Sequence, residues 1–143
     1  MTSSHAQRGT AMVEFSIAAT VLLFVVLAIM EFGQAMYVYN LVTNSARLGS
    51  RYAIVHGSMC TFANCPASTT DIQTYVRSIS PNIDTTHLTV TTTWSAVPAD
   101  SCNTAPYKDP GCLVTVVASY PFQSFGPFRA MSISSQSKMY ISR

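Results

Sequence analysis

Hydrophobic positions run almost unbroken from Ala11 to Met30, where the only polar side chains are Glu14, Ser16 and Thr20. A run of about 20 apolar residues matches the hydrocarbon thickness of a bilayer. From Ala18 to Met30 there is no Gly or Pro, so nothing interrupts a helix. The stretch is apolar on every side, which suits lipid better than an amphipathic surface. A buried core helix is the competing reading, but the remaining residues are too few to surround one. A cleaved signal peptide would need a shorter apolar core and a small-x-small site. Gly33-Gln34-Ala35 is a weak match to such a site, and the helical register continues through it.

The helical pattern goes on past Met30. Asn40, Asn44, Arg47 and Arg51 recur at steps of four, three and four and share one face. Val38, Val42, Ala46, Gly49 and Ala53 share another, a stripe of small apolar residues suited to packing under a sheet. The spacing predicts one helix from about Thr10 to Val55, with Gly57 as its stop. Such a helix is about 65 Å long at 1.5 Å per residue and has to project beyond the bilayer.

The pattern then shortens. Residues 57–67 read as a loop. Ser68-Thr69-Thr70-Asp71 opens a short helix with Ile72, Tyr75, Val76 and Ile79 on its buried face, ended by Pro81. His87 to Ser95 alternates weakly and is rich in Thr and Val, a first strand. Val97 to Gly111 is a polar loop with three prolines. Cys112 to Tyr120 is a second strand, the most apolar one, and Phe122 to Arg129 a connector. Met131, Ile133, Ser135, Ser137, Met139 and Ile141 alternate along a third strand. The expected fold is α+β: a long N-terminal helix packed on a small three-stranded antiparallel meander, with one extra short helix.

Composition sharpens this picture without redirecting it. Only 10% of the 143 residues are charged, because no charge lies between Glu14 and Glu31. Soluble proteins average roughly a quarter. The net charge of +2 is too small to argue for a nucleic acid or an acidic partner. Arg47, Arg51 and Arg77 give slight basic character, without the aromatic interleaving of a single-strand binder. Arg8 precedes the apolar run and Glu31 follows it, so the positive-inside rule places the N-terminus in the cytoplasm and the C-terminal domain outside. Four cysteines, all after the apolar run, agree with an oxidising compartment. Four cysteines allow three pairings. Local closure favours Cys60 with Cys65 and Cys102 with Cys112, and the two long-range pairings stay open. These spacings fit zinc poorly, so no metal site is expected. No catalytic motif is present. The Ser and Thr residues lack a paired base, there is no phosphate loop, and His5, His56 and His87 stand apart. His56 falls at the helix end, where its positive form would meet the C-terminal dipole. Neither an enzyme nor a cofactor is expected.

Glu14 is the odd residue. A carboxylate inside an apolar helix is costly at mid-bilayer and less so near the interface. One turn from the start of the run, it would also suit the positive end of the helix dipole. Its spacing from Gly9 adds a second meaning. Arg8-Gly9-Thr10-Ala11-Met12-Val13-Glu14-Phe15 resembles the type IV prepilin processing site of the Flp-like (type IVb) branch. The resemblance implies a cut between Gly9 and Thr10, which makes Glu14 the fifth mature residue and Phe15 the sixth. Gly lets the backbone extend into a protease cleft. Glu14 would then serve as counter-ion to the new α-amino group at Thr10, in its own or a neighbouring subunit.

The likeness widens over residues 9–55. Met30-Glu31-Phe32-Gly33, Tyr37-Val38-Tyr39-Asn40 and Asn44-Ser45-Ala46-Arg47-Leu48-Gly49-Ser50-Arg51-Tyr52-Ala53 resemble the TadE-like family. That family comprises pseudopilins, or minor pilins, of the tight-adherence (Tad) pilus system. Leu113 to Val117 and Tyr120-Pro121-Phe122 fit its outer domain more loosely. Ser50 departs from the expected Glu or other polar residue, at a position that reads as tolerant. The resemblance implies the lollipop shape of a type IV pilin, with a leader over 1–9, a long helix over 10–56 whose half 11–30 spans the membrane, and an extracytoplasmic α+β domain over 57–143. It implies cleavage by a prepilin peptidase and assembly with other pilins and minor pilins on the Tad inner-membrane platform. Assembly contacts would involve Glu14, Glu31, Gly33, Asn40, Asn44, Arg47 and Arg51. Gly33 would permit close helix approach, and Glu31 could pair with Arg47 of a neighbour. Major pilins of the system are little more than the helix, so an outer domain of this size points to a minor one. Two alternatives stand beside this. One is a tip adhesin or DNA-binding module, and the other a permanent signal-anchored envelope protein.

Overall fold

The computed structural model describes residues 4–61, 64–80, 84–95, 102, 108–123 and 131–142. The element order is α1 (Ser4–Val55), α2 (Thr69–Ser78), β1 (Thr89–Ser95), β2 (Leu113–Phe122) and β3 (Met131–Tyr140). The three strands form one antiparallel sheet in the order β1-β2-β3. This is the expected α+β meander with a long and a short helix. The chain forms two compact units, Met1–Met36 and Tyr37–Arg143.

The described residues of the first unit are helix alone. From Met12 to Met30 its large apolar side chains are exposed, Phe15 at 75% and Leu22 at 65%. The helix is long and apolar enough to cross a membrane, a candidate anchor near the N-terminus. It starts at Ser4, ahead of the Thr10 start expected above. A single Gly costs a helix only about 1 kcal/mol, so Gly9 does not break it.

The second unit has a core built on the small stripe of α1. Val42, Ala46, Gly49 and Ala53 are buried. Gly49 allows the closest approach: a Cβ there would stand 3.0 Å from methyls of both Val116 on β2 and Val76 on α2. Val114, Val116 and Ala118 of the central strand are wholly buried. In register they face Trp94, Thr92 and Val90 on one side and Met139, Ser137 and Ser135 on the other. α2 begins with a reciprocal cap. Asp71 N–H donates to Ser68 Oγ (3.2 Å), and Ser68 N–H donates to the Asp71 carboxylate (2.9 Å). Ile72 and Val76 are its buried residues, with Tyr75 packed against the same core.

Boundaries in the second unit also differ from expectation. β1 begins at Thr89, not His87, because Asp84 accepts from Thr86 N–H (3.0 Å) and holds residues 84–87 in a turn. β2 runs on past Tyr120 through Pro121 to Phe122, the residue expected to open the connector. β1 begins at Thr89, opposite Ser119, so past Ser119 one edge of β2 is open and does not require the N–H that proline lacks. α2 ends at Ser78, with Ile79 as its cap, before Pro81 is reached. Pro81, most of the 97–111 loop and residues 124–129 of the connector lie outside the described residues.

Candidate functional site

Gly9, Thr10, Glu14 and Phe15 all lie in α1 and are exposed. Gly9 has no heavy atom within 4 Å of where a Cβ would sit, so packing does not demand a glycine there. Ser16 Oγ donates to Val13 O (2.8 Å) and Thr20 Oγ1 donates to Ser16 O (2.7 Å). Those hydroxyls are satisfied within the helix and ask nothing of lipid or neighbour. Glu14 and Glu31 differ: among the described residues neither has an ion-pair partner. Gly33, like Gly9, is open to its surroundings.

Asn40, Asn44, Arg47 and Arg51 are all exposed, opposite the buried stripe of Val42, Ala46, Gly49 and Ala53. Among the described residues neither arginine is in an ion pair. Their shared face is therefore charged, unmatched and open. Arg77 does not join it. Its Nη2 donates to Leu88 O (3.1 Å), tying α2 to the start of β1. The basic character that Arg77 lent to a nucleic-acid reading is structural.

The position of Ser50 corrects the expectation of tolerance. It is fully buried; its Oγ donates to Arg47 O (2.9 Å) and lies 2.8 Å from Ser137 Oγ on β3. A carboxylate in its place would be buried, which is costly without a counter-charge. Ser45 forms a similar buried bridge to Ser80 (3.1 Å). These two serines flank the apolar stripe of α1, a spacing to which sequence reasoning gave no packing role.

The cysteines pair locally, Cys60 with Cys65 and Cys102 with Cys112, at Cα separations of 5.9 and 5.7 Å. His56 closes α1 with its Nδ1 3.0 Å from Tyr52 O, and its ring stacks on Tyr52, which stacks on Tyr75. Lys108, which sequence reasoning passed over, donates its Nζ to Ala67 O and lies over the Trp94 ring, 4.5 Å from the centroid. Burial lowers the pKa of this ammonium, and Asp71 opposes the shift. Ser58 N–H donates to Lys108 O (3.0 Å) and Ser58 Oγ to Asp109 (2.6 Å), so this loop is pinned to the end of α1.

The geometry thus offers an exposed apolar helix with two unmatched carboxylates, and an outer stripe with two unmatched guanidiniums. Among the described residues no cluster of three metal-ligating side chains occurs. Residues 9–51 match the family model described as TadE-like protein. Neither the curated proteins nor the solved structures contain a match.

Proposed function

We propose that this is a Tad pilus-associated protein, and within that class a minor pilin, or pseudopilin, of the tight-adherence pilus; the match of residues 9–51 to the TadE-like family model supports the reading. The observation that carries the reading is the placement of Gly9 and Glu14. A Gly-x4-Glu spacing by itself is common; here it straddles the edge between a polar leader and an exposed apolar helix inside the matched segment. In this reading a prepilin peptidase cuts after Gly9. The chain waits in the inner membrane with its N-terminus in the cytoplasm and the α+β domain over 57–143 outside. It then joins other pilins through α1, on the Tad assembly platform. Glu14 neutralises the α-amino group of Thr10. The chain carries out no chemistry itself and uses no cofactor.

Mass spectrometry of the N-terminus of the membrane-inserted protein, in cells expressing the peptidase, tests this. A chain beginning at Thr10 is expected, and Gly9→Ala should leave the leader in place. An intact Met1 in the unaltered protein would sink the reading in favour of a permanent anchor. Glu14→Ala should insert normally yet fail to support assembly, and normal pili in that variant would refute the counter-ion role.

A further inference from the structure

We propose that two copies of this chain stack in parallel through α1 with an offset of 20 residues, bringing Glu31 of one copy against Arg51 of the next, with Arg47 one turn away. The inference rests on the pilin reading, because the raised copy has to leave the bilayer.

The charges carry it. Along α1 from Ala11 to Val55 the ionisable carboxylates and guanidiniums are Glu14, Glu31, Arg47 and Arg51. None has an ion-pair partner among the described residues. Arg47 and Arg51 are one turn apart on an exposed stripe, so both can reach one carboxylate. Glu31 belongs to a different face. Ala28, Glu31 and Ala35 continue, in steps of three and four, the series Val38, Val42, Ala46, Gly49 and Ala53. Small residues on either side of Glu31 let another helix come close.

Register decides between arrangements. With two parallel copies level, Glu31 meets either Glu31 or the apolar residues around it, and no cation is within reach. Sixteen residues separate Glu31 from Arg47, and twenty separate it from Arg51. A shift of 17 would set Glu14 against Glu31, like against like. A shift of 20 sets Glu14 against Gln34, an amide donor, with Glu31 against Arg51 and Arg47 one turn away. The two faces are distinct, so each added copy offers a fresh arginine stripe or a fresh Glu31. A heterologous contact of this kind is open-ended.

The test uses the full chain in cells carrying the peptidase and assembly platform. One tagged copy carries Ala35→Cys and another Val55→Cys, reporters 20 residues apart that leave every charge in place. Short thiol crosslinking should join the two copies. Glu31→Gln should lower that yield about fivefold, the upper end for an exposed ion pair. Glu31→Arg combined with Arg47→Glu and Arg51→Glu should restore it, which a merely structural role would not. Absence of the 35–55 product, or preference for a level 35–35 product, overturns the offset. So does capture of a protein of different mass by the Val55→Cys copy. The N-terminus of the same sample separates the two ideas. A chain starting at Thr10 without the 35–55 product refutes the stacking alone, and an intact Met1 refutes the pilin reading.

Discussion

Gly49→Ala should destabilise the outer unit even though alanine is the better helix former. In an unencumbered helix the change would be worth about 1 kcal/mol in favour of alanine. At Gly49 the added methyl would lie 3.0 Å from Val116 Cγ1 and 3.0 Å from Val76 Cγ2, with Ile72 Cγ2 at 3.5 Å. Comfortable carbon–carbon contacts fall at about 3.5–4.0 Å, so both close contacts have to open by roughly half an ångström. The two valines are fully buried and belong to different elements, β2 and α2. Movement away from one therefore does not relieve the other. Overpacking of this kind costs about 1–3 kcal/mol. Set against the propensity gain, a net loss of about 1 kcal/mol is expected, or about 4–8 °C in Tm for a unit of this size. Gly49→Val adds two more methyls and should cost about 3 kcal/mol or more. The assay is thermal unfolding of the full chain in detergent micelles, followed by fluorescence of Trp94, the single tryptophan. Trp94 is part of β1 and packs on the same core, so it reports this unit. Gly33→Ala is the control, because nothing lies within 4 Å of its added methyl. A Gly49→Ala protein as stable as the original, with Gly49→Val also tolerated, would refute the close-approach argument.

Two further predictions use the same readout. Ser50→Ala should cost about 1 kcal/mol through the lost bridge to Ser137. Ser50→Glu should cost about 3 kcal/mol or more by burying an unpaired carboxylate, and an unchanged Tm in that variant would restore the view that the position is tolerant. Hydrogen bonds from the Ser68 hydroxyl and backbone N–H hold the Asp71 carboxyl below its usual 3.8. Its contribution is therefore present above that value and is lost as pH falls through the lower folded value. Unfolding curves between about pH 5 and pH 3 should show the unaltered protein losing more stability than Asp71→Asn, and parallel losses would refute the cap's role.

Much of this fold was legible because its elements are punctuated locally. The Ser68–Asp71 spacing announces a capping box, and the box is there. The stripe through Val42, Ala46 and Gly49 announces which face of α1 lies under the sheet, and those residues are buried. What stayed hidden depends on partners distant in sequence. Ser50 reads as a polar helix residue until Ser137, far along the chain, is seen beside it. Arg77 reads as surface charge until Leu88 O occupies its guanidinium. Lys108 stands in a loop with a positive φ of 80°, and nothing in its neighbours foretells that it reaches Trp94 and Ala67 O. Of the candidate site, sequence supplied the residues, while the structure showed that Glu14, Glu31, Arg47 and Arg51 have no ion-pair partner among the described residues.

That lack of partners gives the polar residues of α1 different consequences. Ser16 and Thr20 have spent their hydrogens on their own helix, so they are indifferent to what surrounds them. Glu14 and Glu31 have not. At the bilayer edge a carboxylate keeps contact with water and headgroups, and its cost is small. Inside a bundle of helices the same group costs several kcal/mol unless a cation lies within reach. The demand therefore appears only on assembly, and only an arrangement that supplies the cation meets it. Under the proposed stacking, a residue tolerated during anchoring in this way would select the register during packing. Glu31→Gln separates the two stages: membrane insertion should be unchanged, while the offset contact weakens.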